Sequence, residues 1–218
     1  MLDDVIVKKP WGWEYLCYRN ENLAMWLLRI DRDQKTSTHS HPNKNTGFIV
    51  LSGAVELSWI NSSERFESLS KVNIFQRRFH STRAVSNEGA YLIEIESPED
   101  KEDLVRLDDV YGREGMPYEG ENAYSPKNSS CFALDQPSDT PNTQELLGCK
   151  LSHLKCNTAS VLALGDSAEF FVFTEGGLVS QEGATILVPG EVTDGATLER
   201  LAGKFNFAPD SSILRIWK

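Results

Sequence analysis

Residues 38–53 read THSHPNKNTGFIVLSG, and the fold turns on how this stretch is read. His39 and His41 are two positions apart, just before the apolar run 48–51. In an extended strand, residues two apart point to the same face. Two imidazoles on one face can chelate one metal ion. Ser52-Gly53 then reads as a turn. A third histidine, His80, falls inside a later strand-like segment, 79–85.

Working outward, the flanking text is a series of short strands. Residues 5–7, 11–18 and 23–30 precede the histidines; 54–60, 65–69, 72–75, 79–85 and 90–96 follow. Asn61-Ser62-Ser63 is a hairpin signal between two of them. Short strands with turn chemistry between them predict an all-β sandwich or small barrel. Residues 97–109 (SPEDKEDLVRLDD) break the pattern; Ser97 or Asp100 as a cap, with acids in the first turn, predicts a short helix. Residues 111–130 are rich in Gly, Pro, Asn, Ser and Glu and read as a linker or irregular crossing.

Beyond residue 131 the text echoes the first part. FVFTEGGL at 171–178 resembles FIVLSGAV at 48–55, and SILRIW at 212–217 resembles YLIEIE at 91–96. An internal repeat of a β unit is the reading, with a generic β extension as the alternative. The echo has no histidine pair, only a solitary His153, so a second unit would lack a metal site. The expected organisation is a domain over 1–113, a linker over 114–130 and a degenerate β domain over 131–218.

Composition narrows the function. The 218 residues are 40% hydrophobic and 25% charged, ordinary for a globular chain. A net charge of −10 argues against broad electrostatic binding of nucleic acid or an anionic membrane. It leaves room for an anionic small substrate held by a few local Lys and Arg. No stretch approaches the ~20 apolar residues of a membrane span. The four cysteines form no CxxC pair and no framework spacing, and no leader is visible, so reduced thiols in a cytoplasmic protein are expected.

The histidine stretch resembles the first motif of the cupin superfamily: HxH, four residues, a ligand position, six residues and a glycine, here His39, His41, Thr46 and Gly53. His80 stands where the second cupin motif places its histidine. More specifically, residues 8–113 resemble the cupin domain of type II mannose-6-phosphate isomerases, which often forms the C-terminal part of mannose-1-phosphate guanylyltransferases. KPWGWEYL at 8–16 and EDLVRLDDVYGR at 102–113 carry that resemblance beside the histidines. It implies a cupin (jelly-roll) β-barrel, bicupin with a degenerate second half. It also implies a divalent metal (Zn, Mn or Fe), a sugar phosphate or nucleotide sugar as ligand, and a homodimer.

Carried over by position, the metal ligands are His39, His41 and His80. Thr46 stands where the family has a Glu, and a neutral hydroxyl is a poor ligand. The resemblance implies catalytic roles for Lys35 and Arg113 and substrate binding by Lys44 and Arg106. Arg113 is read either as a substrate contact or as a helix cap. Arg77 and Arg78 occupy the eroded second motif, IFQRRFH, where the family has a tight turn. They are read either as a phosphate clamp or as a solvated loop. Trp11 and Trp13 read as packing residues. Aldose–ketose isomerisation also needs a base. Glu56, Glu94 and Glu96 are the strand candidates; alternation puts Glu94 and Glu96 on one face, inside or outside. Three functions follow: a metal-dependent sugar-phosphate isomerase, a non-catalytic sugar-phosphate-binding cupin that has lost the ligand Glu, or a three-histidine iron dioxygenase.

Overall fold

The computed structural model describes residues 6–116, 123–124, 131–156 and 169–218. The chain divides into two compact units, residues 1–19 with 24–133, and 20–23 with 134–218. The first unit holds the histidines. Its strands are β1 (Ile6–Lys9), β2 (Gly12–Arg19), β3 (Ala24–Ile30), β4 (Thr38–Ser40), β5 (Asn45–Ser52) and β6 (Ala54–Trp59). Then come β7 (Ser63–Glu67), β8 (Lys71–Ile74), β9 (His80–Ala84), β10 (Ala90–Ser97), β11 (Val105–Asp108) and β12 (Ala123–Tyr124). One sheet runs β12-β1-β2-β3-β10-β5-β8 and the other β11-β4-β9-β6-β7, with every named strand pair antiparallel. The inner order β3-β10-β5-β8 beside β4-β9-β6-β7 is that of an eight-stranded jelly roll. The all-β cupin barrel expected from the sequence is therefore present.

Alternation and register place the interior. Trp26, Leu28 and Ile30 of β3, Phe48 and Val50 of β5, Leu92 of β10, and Val55 and Leu57 of β6 form one buried cluster. In the register, Leu92 lies between Leu28 and Val50, Glu94 between Trp26 and Phe48, and Glu96 between Ala24 and Thr46. Residues two apart share a face, so Glu94 and Glu96 follow Leu92 into the barrel. That answers the question left open by the sequence. Glu56 alternates with Val55 and Leu57, both members of the core cluster, and so faces outward. Gly53 makes the β5–β6 turn at φ +82°, where a Cβ would meet the Gly89 carbonyl oxygen at 2.3 Å. Only glycine fits there.

The helix expected over 97–109 does not form. Residues 98–104 make a turn, and β11 then lies along β4. The acidic residues read as helix-start signals are used instead on the histidine loop, as described below.

The second unit has a sheet β13-β14-β20-β15-β18 and a smaller sheet β17-β16-β19. These are β13 (Thr143–Leu146), β14 (Cys149–Lys155), β15 (Phe170–Glu175), β16 (Leu178–Val179), β17 (Thr185–Leu187), β18 (Val192–Asp194), β19 (Asn206–Phe207) and β20 (Ser212–Trp217). The echo extends to topology. The two echoed segments pair as neighbours, β15 with β20, as β5 pairs with β10. A helix not foreseen in the sequence, α1 (Gly195–Ala202), follows β18, its N-terminus capped by Asp194 accepting from the Thr197 amide at 2.9 Å. Leu198 and Ala202, four apart, are its buried contacts, a short period that a strand-dominated reading passes over.

Candidate metal centre

Three strand positions bring the histidines together. His39 on β4 lies directly opposite His80 on β9, and His41 follows β4 by one residue. Their ligand atoms all lie within 4.8 Å of one another. Each ring is oriented by a backbone carbonyl. Nδ1 of His39 donates to the Ser37 oxygen at 2.8 Å, Nδ1 of His41 to the Asp103 oxygen at 2.6 Å, and Nδ1 of His80 to the Arg78 oxygen at 2.9 Å. A carbonyl only accepts, so Nδ1 carries the proton and Nε2 keeps its lone pair in the neutral ring. This is the orientation that metal-ligating histidines use. Burial, then the neighbouring His80 and His41 rings, holds His39 well below the ordinary histidine range. Burial and Lys44 lower His41 to about 4, and burial lowers His80 to about 4. The rings are thus neutral near pH 7, as ligands must be. The donor set fits a divalent metal with open positions.

A half-open cavity of about 70 Å³ adjoins this cluster. That is room for roughly five waters or part of a small ligand. Its lining includes His39 and His41, three carboxylates (Glu14, Glu94, Glu96) and five cations (Lys9, Lys44, Lys101, Arg106, Arg113). A protein of net charge −10 has therefore turned a cation-rich wall towards this space. A smaller pocket of about 20 Å³ lies among His39, His80, Phe48, Ile74 and Leu92, and Glu94 lines both.

Two of the three carboxylates are tied down. Glu96 Oε1 meets Lys44 Nζ at 3.1 Å and Lys101 Nζ at 2.9 Å. Glu14 Oε1 meets Lys101 Nζ at 3.5 Å and Lys9 Nζ at 3.6 Å. Lys44, 1% exposed, also donates to the Asp100 carbonyl at 2.8 Å. Burial opposes ionisation of Glu96, but Lys101 and Lys44 outweigh it and hold the carboxyl below its ordinary value. Glu94 differs: among the described residues no hydrogen bond or ion pair holds it. Burial first, then the nearby Glu96, pushes its carboxyl up to about 7.

Arg106 lies beside His39 in the β4–β11 register, and its guanidinium donates to the Met116 carbonyl. Arg113 is gripped by the buried Asp109, with Nε at 2.8 Å and Nη2 at 2.7 Å from its two carboxylate oxygens. Among the described residues around it, 105–116, no helix forms for Arg113 to cap. Lys35 is outside the lining; its backbone bridges to Arg83 and its amide faces the Tyr111 hydroxyl at 3.4 Å. Arg77 and Arg78 are exposed on the turn before His80 and are also outside the lining. Thr46 is buried, and its hydroxyl has no hydrogen-bond partner among the described residues.

Four contributors were not singled out from the sequence. Asp103 accepts from the amides of Asn43 and Lys44 at 2.9 Å each and from the Asn43 side chain at 2.9 Å, while its own carbonyl orients His41. Lys101 and the pair Lys9–Glu14 complete the charged floor. The only available signal was that these residues fall inside the two end motifs, 8–16 and 102–113, or next to them.

No protein-family model matches the chain, and no curated protein matches it. Solved structures do. KdgF from Halomonas sp. is 17% identical, covering 42% of this chain and 84% of its own, with a TM-score of 0.40. An RmlC-like cupin from Shewanella frigidimarina is 15% identical, covering 44% of this chain and 85% of its own, at 0.40. A sugar phosphate isomerase of the cupin superfamily from Silicibacter pomeroyi is 13% identical, covering 40% of this chain and 58% of its own, at 0.37. Similarity at this level concerns the fold, and the fold itself rests on the strand order above.

Proposed function

We propose that this chain is a metal-dependent cupin acting on a sugar phosphate, as an aldose–ketose isomerase resembling the mannose-6-phosphate class. One observation supports this above the others: three clustered histidines, each with Nδ1 on a backbone carbonyl, include two that line a cation-rich cavity, and that cavity holds one carboxylate untied among the described residues. His39, His41 and His80 would hold the metal. When bound, it supplies a Lewis acid for the carbonyl and hydroxyl oxygens of the sugar. Arg106 and Arg113 hold the phosphate, because guanidinium pairs with phosphate oxygens bidentately. Asp109 fixes Arg113 in advance, so less freedom is lost on binding. Lys44 and Lys101 neutralise Glu96 and keep the floor rigid. In this reading Lys35, Arg77 and Arg78 do not touch the bound sugar. Residues 131–218 are a degenerate second cupin-like unit, supported by the β14-β20-β15-β18 order that parallels β3-β10-β5-β8.

The test is elemental analysis of the purified protein, with turnover measured on a panel of hexose and pentose phosphates. A bound divalent metal and chelator-sensitive interconversion are expected. Protein that holds no metal and turns over no member of the panel ends this reading. Thr46, in the position of the ligand Glu and with its hydroxyl unpartnered among the described residues, favours a second reading, a binding protein that has lost its chemistry. Tight sugar-phosphate binding without turnover, unchanged by chelator, would establish it.

A further inference from the structure

We infer that Glu94 is the proton-transfer residue of this cavity, a role that rests on the isomerase reading above. Three carboxylates line the space, and the contrast among them decides the matter. Glu14 and Glu96 each face two lysine ammonium groups, so both are engaged in ion pairs. Glu94 is held by no hydrogen bond or ion pair among the described residues and lines both the polar cavity and the smaller pocket beside His39 and His80. Its register neighbours are Trp26 on β3 and Phe48 on β5, an apolar flank on each side. Its charged surroundings are Glu96 on its own strand, Glu14 on β2, and Lys101 and Lys44 from the loops that close the floor. The carboxylate thus lines the space beside the histidines without an ion pair or hydrogen bond among the described residues to engage it.

The step balances with no added reagent. The Glu94 carboxylate takes the proton from C2 of the open-chain aldose phosphate. The C2–H pair becomes the C1–C2 double bond of an enediol, and O1 gains a proton from water. The O2 hydroxyl then returns a proton to water and becomes the ketone carbonyl, while C1 takes the proton back from the Glu94 carboxylic acid. Between the two halves the acid can exchange with solvent, because the cavity is half-open.

The experiment compares wild type, Glu94→Gln and Glu94→Asp on the hexose and pentose phosphate panel in D₂O. Product is followed by proton NMR and metal content is measured alongside. Wild type is expected to turn over with solvent deuterium appearing at the transferred position. Glu94→Gln should lose about 10³-fold in kcat, with unchanged metal content and sugar-phosphate affinity. Glu94→Asp, which withdraws the carboxyl by one methylene, should retain deuterium incorporation at a reduced rate. Glu94→Gln turnover within about threefold of wild type overturns the assignment and leaves the isomerase reading standing. Loss of metal by the Gln variant also overturns it, making Glu94 a ligand. Wild-type turnover without solvent deuterium overturns it in favour of hydride transfer. An inactive wild type overturns both readings. If the Gln variant does not fold, an undiminished kcat in the Asp variant is the overturning result.

Discussion

The histidines of the first unit and the one histidine of the second begin with the same device and end differently. In both, Nδ1–H donates to a backbone carbonyl: Ser37, Asp103 and Arg78 for His39, His41 and His80, and Asp135, at 2.8 Å, for His153. What meets Nε2 separates them. In the barrel the three rings bring ligand atoms within 4.8 Å of one another, His39 and His41 line the larger cavity, and His39 and His80 line the smaller pocket. At His153, Nε2 accepts from the Thr174 hydroxyl at 2.8 Å, and Thr174 Oγ1 lies 2.6 Å from the Ser212 hydroxyl. The Thr174 proton is committed to His153, so Ser212 donates to Thr174. A buried polar chain in which the Nε2 lone pair is spent on a hydroxyl is a structural element. Orientation by a carbonyl does not by itself fit a histidine to bind a metal; an unspent Nε2 is needed as well.

The sharpest way to break this comparison is to delete one ring from each side. His80→Ala removes a ligand and should lower divalent metal affinity by more than ~100-fold, read by elemental analysis after dialysis. His153→Ala should leave metal content unchanged. A His80→Ala protein that keeps its metal would show that the three rings only fill the barrel.

The second effect runs the other way. His153→Ala leaves the Thr174 hydroxyl without its acceptor in a site where His153, Thr174 and Ser212 are all buried. The cavity and the lost bonds together should cost about 3 kcal/mol, read as a lower denaturation midpoint. His39→Ala should cost less, because its Nε2 has no hydrogen-bond partner to orphan among the described residues.

The legible and illegible parts of this site divide by the range of the interactions. His39, His41 and His80 were readable because a two-residue period and a motif spacing are local facts. The jelly roll was readable for the same reason, strand by strand. The role of Glu94 was not, since alternation gives a face and only the register against Trp26 and Phe48 says that the face is inside. Lys101 and Asp103 were misread as the start of a helix. Acidic residues after a Ser-Pro look like a first turn, and nothing local reveals that the Asp103 carboxylate is needed 60 residues back at Asn43. Lys35, chosen by position in a motif, turned out to have its backbone against Arg83 rather than its side chain in the lining.

A third prediction separates tied from untied carboxylates through pH. An acid whose folded-state pKa lies above its unfolded one takes up a proton on folding between the two values. The stability it contributes is complete below its ordinary value of 4.5 and is lost as pH rises through about 7. Glu94→Gln removes that dependence. The variant should gain on the order of 2 kcal/mol relative to wild type between pH 4.5 and pH 8, measured by urea unfolding at each pH. Glu96 has the opposite sign: its carboxyl is held low by lysines, so its contribution is present at neutral pH and is lost as pH falls below the ordinary value. Replacing Glu96 by Gln should therefore destabilise at neutral pH, where Glu94→Gln does not.

The smallest effect tests whether the turn before His80 is tuned for the site or merely tolerated. Arg77 has φ +64°, the left-handed region that disfavours a residue with a Cβ. Its amide donates to the His41 carbonyl at 2.8 Å, which ties the turn to the loop carrying a second ligand. The side chain is exposed and does not line the cavity. Arg77→Gly keeps that amide bond and removes the Cβ strain, and should raise stability by about 1 kcal/mol after the entropy of the added glycine is deducted. Metal content should not change, since the Arg78 carbonyl still orients His80. A fall in metal content with the fold intact would mean that the strained turn, rather than the carbonyl bond alone, sets where the His80 ring points. The rule drawn from His153 would then need a second condition, a backbone held in place as well as an unspent Nε2.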